Sequence, residues 1–167
     1  MPLELVLGPD PIFRKKAETV TLFDEELGKT AQAMLEALYR EQGLGLGANM
    51  LGLLQRIIVV DLQEGGTKAP MILVNPAVTE KSAETQTFTE ASLSFPGLSA
   101  EITRPRSVTV TFQDINGESH SISADGWLAT ILQHEIDYLD GILYFDYLSA
   151  TKRNMLLRKA KKLKKSG

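Results

Sequence analysis

Apolar residues recur at helical spacing across residues 25–41, at Leu27, Ala31, Met34, Leu35 and Leu38. Asp24 stands where a helix cap belongs, Glu25 and Glu26 fall in the first turn where they suit the helix dipole, and Gly43 is read as the stop. The pattern then changes to short β-rich runs: QRIIVVDL (55–62), MILVNP (71–76), ETQTFTE (84–90) and SVTVTFQD (107–114). Asn116-Gly117 is a hairpin signal that returns the chain as ESHSIS. A second helix is expected over roughly 125–139, where Trp127, Leu128, Ile131, Leu132, Ile136 and Leu139 cover most of the circumference. Such a helix must be central and buried. A third starts near Ser149, with a Leu156, Ala160, Leu163 stripe among basic residues. Strands bracketed by helices predict an α+β fold: one domain of short antiparallel strands around a buried helix.

Composition narrows the class. The chain has 167 residues, 43% of them hydrophobic and 23% charged, as in a globular domain with a sizeable core. No apolar run approaches the roughly 18 residues of a membrane span, and the start MPLELVLGPDP lacks the marks of a signal peptide. There is no cysteine, so disulfides and thiolate ligands are excluded. These features point to the cytoplasm and to no membrane partner. The net charge of −3 is unevenly spread: every acidic residue lies at or before Asp146, and residues 152–165 carry eight basic residues. We therefore divide the chain into a body, residues 1–150, and a basic helix, 151–167, packed on it or extending from it. That helix is read either as a ribosome or RNA contact or as a solvated face.

The candidate chemistry lies on the buried helix. QHEIDYLDG (133–141) opens like H-E-x-x-H, in which two histidines one turn apart grip a metal and the glutamate moves protons. Here the second histidine position is Tyr138. His134 and Tyr138 share one helix face, and Glu135 sits about 100° around. Taken alone, the stretch equally suits a satisfied core pair.

Two further segments resolve that choice. GLGLGANMLG (43–52) is similar to G-[IL]-G-L-A-A-P-Q-x-G, EASLSFPG (90–97) to E-G-C-L-S-x-P-G, and QHEIDYLDG to Q-H-E-x-D-H-L-x-G. Together they resemble the peptide deformylase family, and PDPIFRKKA, FDEEL, VNPAV, ITRP and DGILYFDYLSATKR extend the resemblance over essentially the whole chain. The resemblance implies metal-dependent removal of the formyl group from N-terminal formyl-methionine. The cysteine of the second motif and both histidines of the third would hold the metal, and the glutamate would act as base. The first-motif glutamine and a backbone N–H would stabilise the oxyanion.

Residue by residue, the sequence departs from that pattern. Ser92 stands for the metal cysteine, Tyr138 for the second histidine and Met50 for the oxyanion glutamine. Gly47, Asn49 and Ala91 replace smaller parts of the motifs, while His134, Glu135 and the Leu93 N–H are retained. Glu90 and Arg104 match family positions and are expected to form a buried or half-buried ion pair. A hydroxyl is a poor substitute for a thiolate, and tyrosine (pKa about 10) must ionise before it ligates well. A thioether cannot donate a hydrogen bond. The expectation is a degenerate site holding no metal, with Fe²⁺ or Zn²⁺ (Ni²⁺ or Co²⁺ in vitro) as the ions if binding survives. His120 is expected on a surface strand, away from the site. Tyr138 is expected to hydrogen-bond near His134, Glu135 or Ser92. The main reading is a pseudoenzyme that binds N-terminal peptides of nascent chains. Its rivals are a weakly metallated deformylase and a metal-free hydrolase built on a Ser92–His134 dyad.

Overall fold

In a computed structural model, residues 3–166 are described, with side chains up to Leu163. Helix α1 (Glu25–Arg40) is capped by Asp24, whose carboxylate accepts from the Leu27 N–H at 3.1 Å. Seven strands follow: β1 (Gly45–Gly47), β2 (Ile57–Val60), β3 (Met71–Lys81), β4 (Thr85–Ala91), β5 (Ser99–Pro105), β6 (Ser107–Gln113) and β7 (Ser119–Asp125). Helix α2 (Gly126–Leu139) and helix α3 (Ala150–Ser166) complete the chain. The strands form an antiparallel sheet in the order β1-β2-β3-β6-β7 and a separate β4-β5 ribbon. The α+β fold is therefore as expected.

Strand β2 shows why the sheet lies between two helices. All four residues of IIVV are buried, so neither face meets water. Ile57 and Val59 join Met34, Leu35 and Leu38 of α1, while Ile58 and Val60 join Ile131, Leu132 and Ile136 of α2. Ten residues of α2 are buried, from Ala129 to Leu139, as the apolar circumference requires. No helix among the described residues is long and apolar enough to cross a membrane.

Several details differ from the sequence pattern. The left-handed residue ending α1 is Gln42, at φ 57, and the Gly43 N–H closes back on Leu38 O at 2.9 Å. Strand β1 lies inside the glycine-rich stretch, whose short apolar content gives no strand signal; pairing with β2 defines it. Strand β5 was likewise hidden, because SAEITRP alternates only weakly; its seven-pair register with β4 forms it. In α3, Ala160 is buried and Leu156 packs against the core together with Leu157, whereas Leu163 stays 41% exposed. The side chains of Lys164 and Lys165 lie outside the described residues.

Candidate functional site

Three elements converge on a cavity of about 370 Å³: the Gly43–Gly45 approach to β1, the β4 end with the loop after it, and the inner face of α2. Its apolar wall includes Leu44, Leu93, Pro96, Trp127 and Ile131, and its polar end holds Ser92, His134 and Glu135, with Met50 beside them. Tyr138 lies beneath, fully buried, its ring stacked on His134 with centroids 4.8 Å apart. On one helix face, i and i+4 meet in this way.

His134 is held from behind. Its Nδ1 lies 2.8 Å from Glu90 Oε1, which leaves Nε2 as the ring nitrogen without a carboxylate partner. Glu90 is also gripped by Arg104 through two hydrogen bonds of 2.7 and 3.0 Å, both residues being almost fully buried. Arg104 reaches on to Asp137 at 2.9 Å, and Asp137 accepts from the Tyr147 hydroxyl at 2.5 Å. Burial pushes the Glu90 carboxyl up, but the His134 and Arg104 hydrogen bonds outweigh it and hold the group below the usual carboxylate range.

Glu135 is in the opposite situation. Burial raises its pKa, and its Oε1 has no hydrogen-bond partner. The carboxyl rests against bare glycine backbone. A Cβ on Gly45 would lie 3.0 Å from Glu135 Oε2 and 2.9 Å from Ile131, and one on Gly47 would lie 3.0 Å from Asn49 Oδ1. Asn49 donates to the Tyr138 carbonyl at 2.7 Å and ties the first motif to α2, while its Oδ1 is also unpartnered.

The replaced positions sit where the motifs place them but do different work. The Gly47 N–H points to Met50 Sδ at 3.4 Å, so the thioether serves as a weak local acceptor. Ser92 Oγ accepts from the Ser94 N–H at 3.2 Å. Tyr138 differs from expectation: its hydroxyl closes no hydrogen bond, because stacking on His134 and an edge contact with Phe13 fix the ring. Burial raises the phenol pKa far above its ordinary value; the nearby Ser92 hydroxyl opposes this without reaching hydrogen-bond geometry.

As a metal site this donor set fits poorly. His134 offers a good ligand nitrogen, but Ser92 is a neutral hydroxyl and Tyr138 a buried phenol held protonated. Among the described residues, three metal-capable side chains converge only at Asp114, Glu118 and His120 on the β6–β7 hairpin. His120 is exposed there, 2.7 Å from Asp114, and takes no part in the cavity.

Trp127 completes the site without any motif pointing to it; helical spacing carried its signal, since it lies seven residues before His134 on the same face. Asp137 is the Asp of the third motif and Tyr147 falls in the matching stretch DGILYFDYLSATKR, but neither is read as a site residue from the sequence.

The chain matches the polypeptide deformylase family over residues 2–154. It belongs to the peptide deformylase family. A Rickettsia conorii protein called peptide deformylase-like is 46% identical over 156 residues, 93% of this chain and 85% of its relative. A peptide deformylase of Brucella suis is 43% identical, covering 95% and 91%. Among solved structures, a plant peptide deformylase superposes with TM-score 0.92 at 37% identity, covering 99% of this chain and 91% of that one. The Ehrlichia chaffeensis peptide deformylase gives 0.91 at 34% identity, covering 99% and 98%.

Proposed function

We propose that this deformylase-family chain has lost most or all of the hydrolytic reaction and keeps its cavity to bind the N-termini of polypeptides. The observation that carries this reading is Tyr138: a protonated, buried phenol stacked on the one good ligand, where the family pattern has a histidine. Ser92 and Met50 act in the same direction, removing an anionic ligand and an oxyanion donor. Leu93 keeps its place beside the polar end, so its N–H is still available to a bound carbonyl. Glu135 remains beside the cavity as a buried carboxyl.

The test is turnover of a formyl-Met tripeptide by purified protein, with metal content measured on the same sample and the assay repeated after anaerobic Fe²⁺, Ni²⁺ or Co²⁺ addition. The expected result is substoichiometric metal and no turnover. Metal-dependent turnover lost in Glu135→Gln would overturn the reading and make Ser92 and Tyr138 working ligands. A second reading is favoured by one contact: Glu90 at His134 Nδ1 orients the ring as the third member of a triad does, with Nε2 left for the Ser92 hydroxyl. Chelator-resistant turnover abolished by Ser92→Ala would establish it.

The basic face of α3 would add a ribosome or RNA contact. Lys152, Arg158, Lys159 and Lys161 lie on a helix anchored to the body by Leu156, Leu157 and Ala160. Co-sedimentation with ribosomes should weaken steeply with salt. Sedimentation unchanged by reversing these four charges would reduce the face to a solvated surface.

A further inference from the structure

The loop after β4 connects the cavity to helix α3. Ser92, Leu93 and Pro96 of this loop line the cavity. At Gly97 the loop meets the end of α3: Leu163 Cδ1 lies 3.7 Å from where a Cβ on Gly97 would stand, so the helix rests on bare backbone. Gly97 takes φ 80, the left-handed region that favours glycine. Phe95 and Leu98 of the loop share one core with Leu156, Leu157 and Ala160 of α3. Within the loop, the Phe95 N–H donates to Ser92 O at 3.1 Å and the Leu98 N–H to Phe95 O at 3.2 Å. These are single turns, so the packing of α3 on the loop helps to set its place.

Helix α3 brings charge to that contact. Leu156, Leu157, Ala160 and Leu163 recur at helical spacing and form its inner stripe. Arg158, Lys159 and Lys161 are exposed, and Arg158 and Lys161, three apart, are neighbours of like charge. The first turn holds Lys152 and Arg153 and no acidic residue, which opposes the helix dipole. The helix is thus held by its stripe against its own charge, with Leu163 as the last anchor. Phosphates on the basic face relieve the repulsion, and only the helical form presents the four apolar residues together. A ligand that prefers the docked helix shifts the chain towards it.

We infer that RNA phosphates on the basic face of α3 tighten the loop after β4 through the contact of Leu163 with Gly97. This rests on the proposal that α3 contacts RNA, and it adds what that contact does to the rest of the chain. Ser92 and Leu93 belong to the loop, so the cavity wall becomes firmest where the chain sits on RNA. The coupling is reciprocal: whatever holds the loop in place raises the affinity of α3 for RNA by the same factor.

Hydrogen exchange of the full chain, read by mass spectrometry over residues 92–98, is compared without RNA and with a saturating single-stranded RNA oligonucleotide at low salt. Binding is followed in parallel by the anisotropy of the labelled oligonucleotide. Exchange of the loop amides is expected to slow about fivefold, the low end of ordinary coupling between sites. Leu163→Ala keeps every charge of α3, so it is expected to bind RNA as the parent does and to lose most of the slowing. RNA binding with unchanged exchange in the parent overturns the inference and leaves the RNA contact standing. Slowing that persists in Leu163→Ala overturns it as well, because the RNA then covers the loop itself. No RNA binding overturns both. The comparison with and without RNA uses the native chain, and Leu163 is 41% exposed, so its truncation removes little of the core.

Discussion

Arg104→Ala is expected to lower the unfolding free energy by about 3–5 kcal/mol, the range seen when one partner of a buried ion pair is deleted. The reason is what remains behind. Glu90 is 2% exposed and would keep its charge with only His134 Nδ1 beside it, while Asp137 would lose its cation. Replacing both partners, as in Glu90→Gln with Arg104→Met, should cost clearly less, because no unpaired charge is left. Urea unfolding followed by circular dichroism measures both. A loss below about 1 kcal/mol for Arg104→Ala would mean that water reaches Glu90 and that the pair is not a structural keystone.

The pH dependence follows with a definite sign. The folded pKa of Glu90 lies below its unfolded value of about 4.5, so between the two the unfolded state binds more protons and stability rises with pH. The contribution is fully present above the unfolded value and is lost as pH falls through the folded one. Acid unfolding of Arg104→Ala should therefore begin at higher pH than that of the parent.

The Asp24 cap and the strongly apolar strands rest on local rules, which is why the sequence speaks to them, whereas the Glu90–Arg104 pair joins residues fourteen apart and is expected only from the family resemblance. Asp24 caps because its side chain reaches a nearby N–H, and IIVV is buried on both faces because nothing in it is polar. Strands β1 and β5 carry no such local signal and exist through their partners. The site follows the same division. The three motifs bring Ser92, His134 and Met50 together, but the behaviour of Tyr138 depends on what surrounds it. A pattern places its hydroxyl at the ligand position. Packing against His134 and Phe13 decides that the hydroxyl goes unsatisfied. Likewise, Glu135 reads as a base from its motif, whereas its burial and the lack of a hydrogen-bond partner at Oε1 are properties of the folded cavity.

If three substitutions account for the proposed loss of activity, reversing them should restore it in steps. Ser92→Cys with Tyr138→His supplies a thiolate and a second imidazole, and should bring metal content to about one ion per chain. Structural support is already present: the Glu90 contact at His134 Nδ1 is the outer-shell partner that fixes which nitrogen ligates. Met50→Gln alone should restore nothing, having no reaction to assist. Added to the other two, it should raise kcat by about 10²–10³, the usual worth of one oxyanion donor. It also keeps a local acceptor for the Gly47 N–H, now held by the Met50 sulfur. The stability cost of Tyr138→His has two opposing parts. The smaller ring leaves a void against Phe13, but the variant also deletes a buried hydroxyl that has no partner, a group that costs about 1–3 kcal/mol. A net change within about 2 kcal/mol is therefore expected, small enough for the variant to fold. Metal analysis and formyl-Met tripeptide turnover on the single, double and triple variants decide the matter. A folded double variant that takes up no metal would place the obstruction elsewhere, and Asn49 would be the next suspect, since its hydrogen bond to the Tyr138 carbonyl fixes the distance between the first motif and α2.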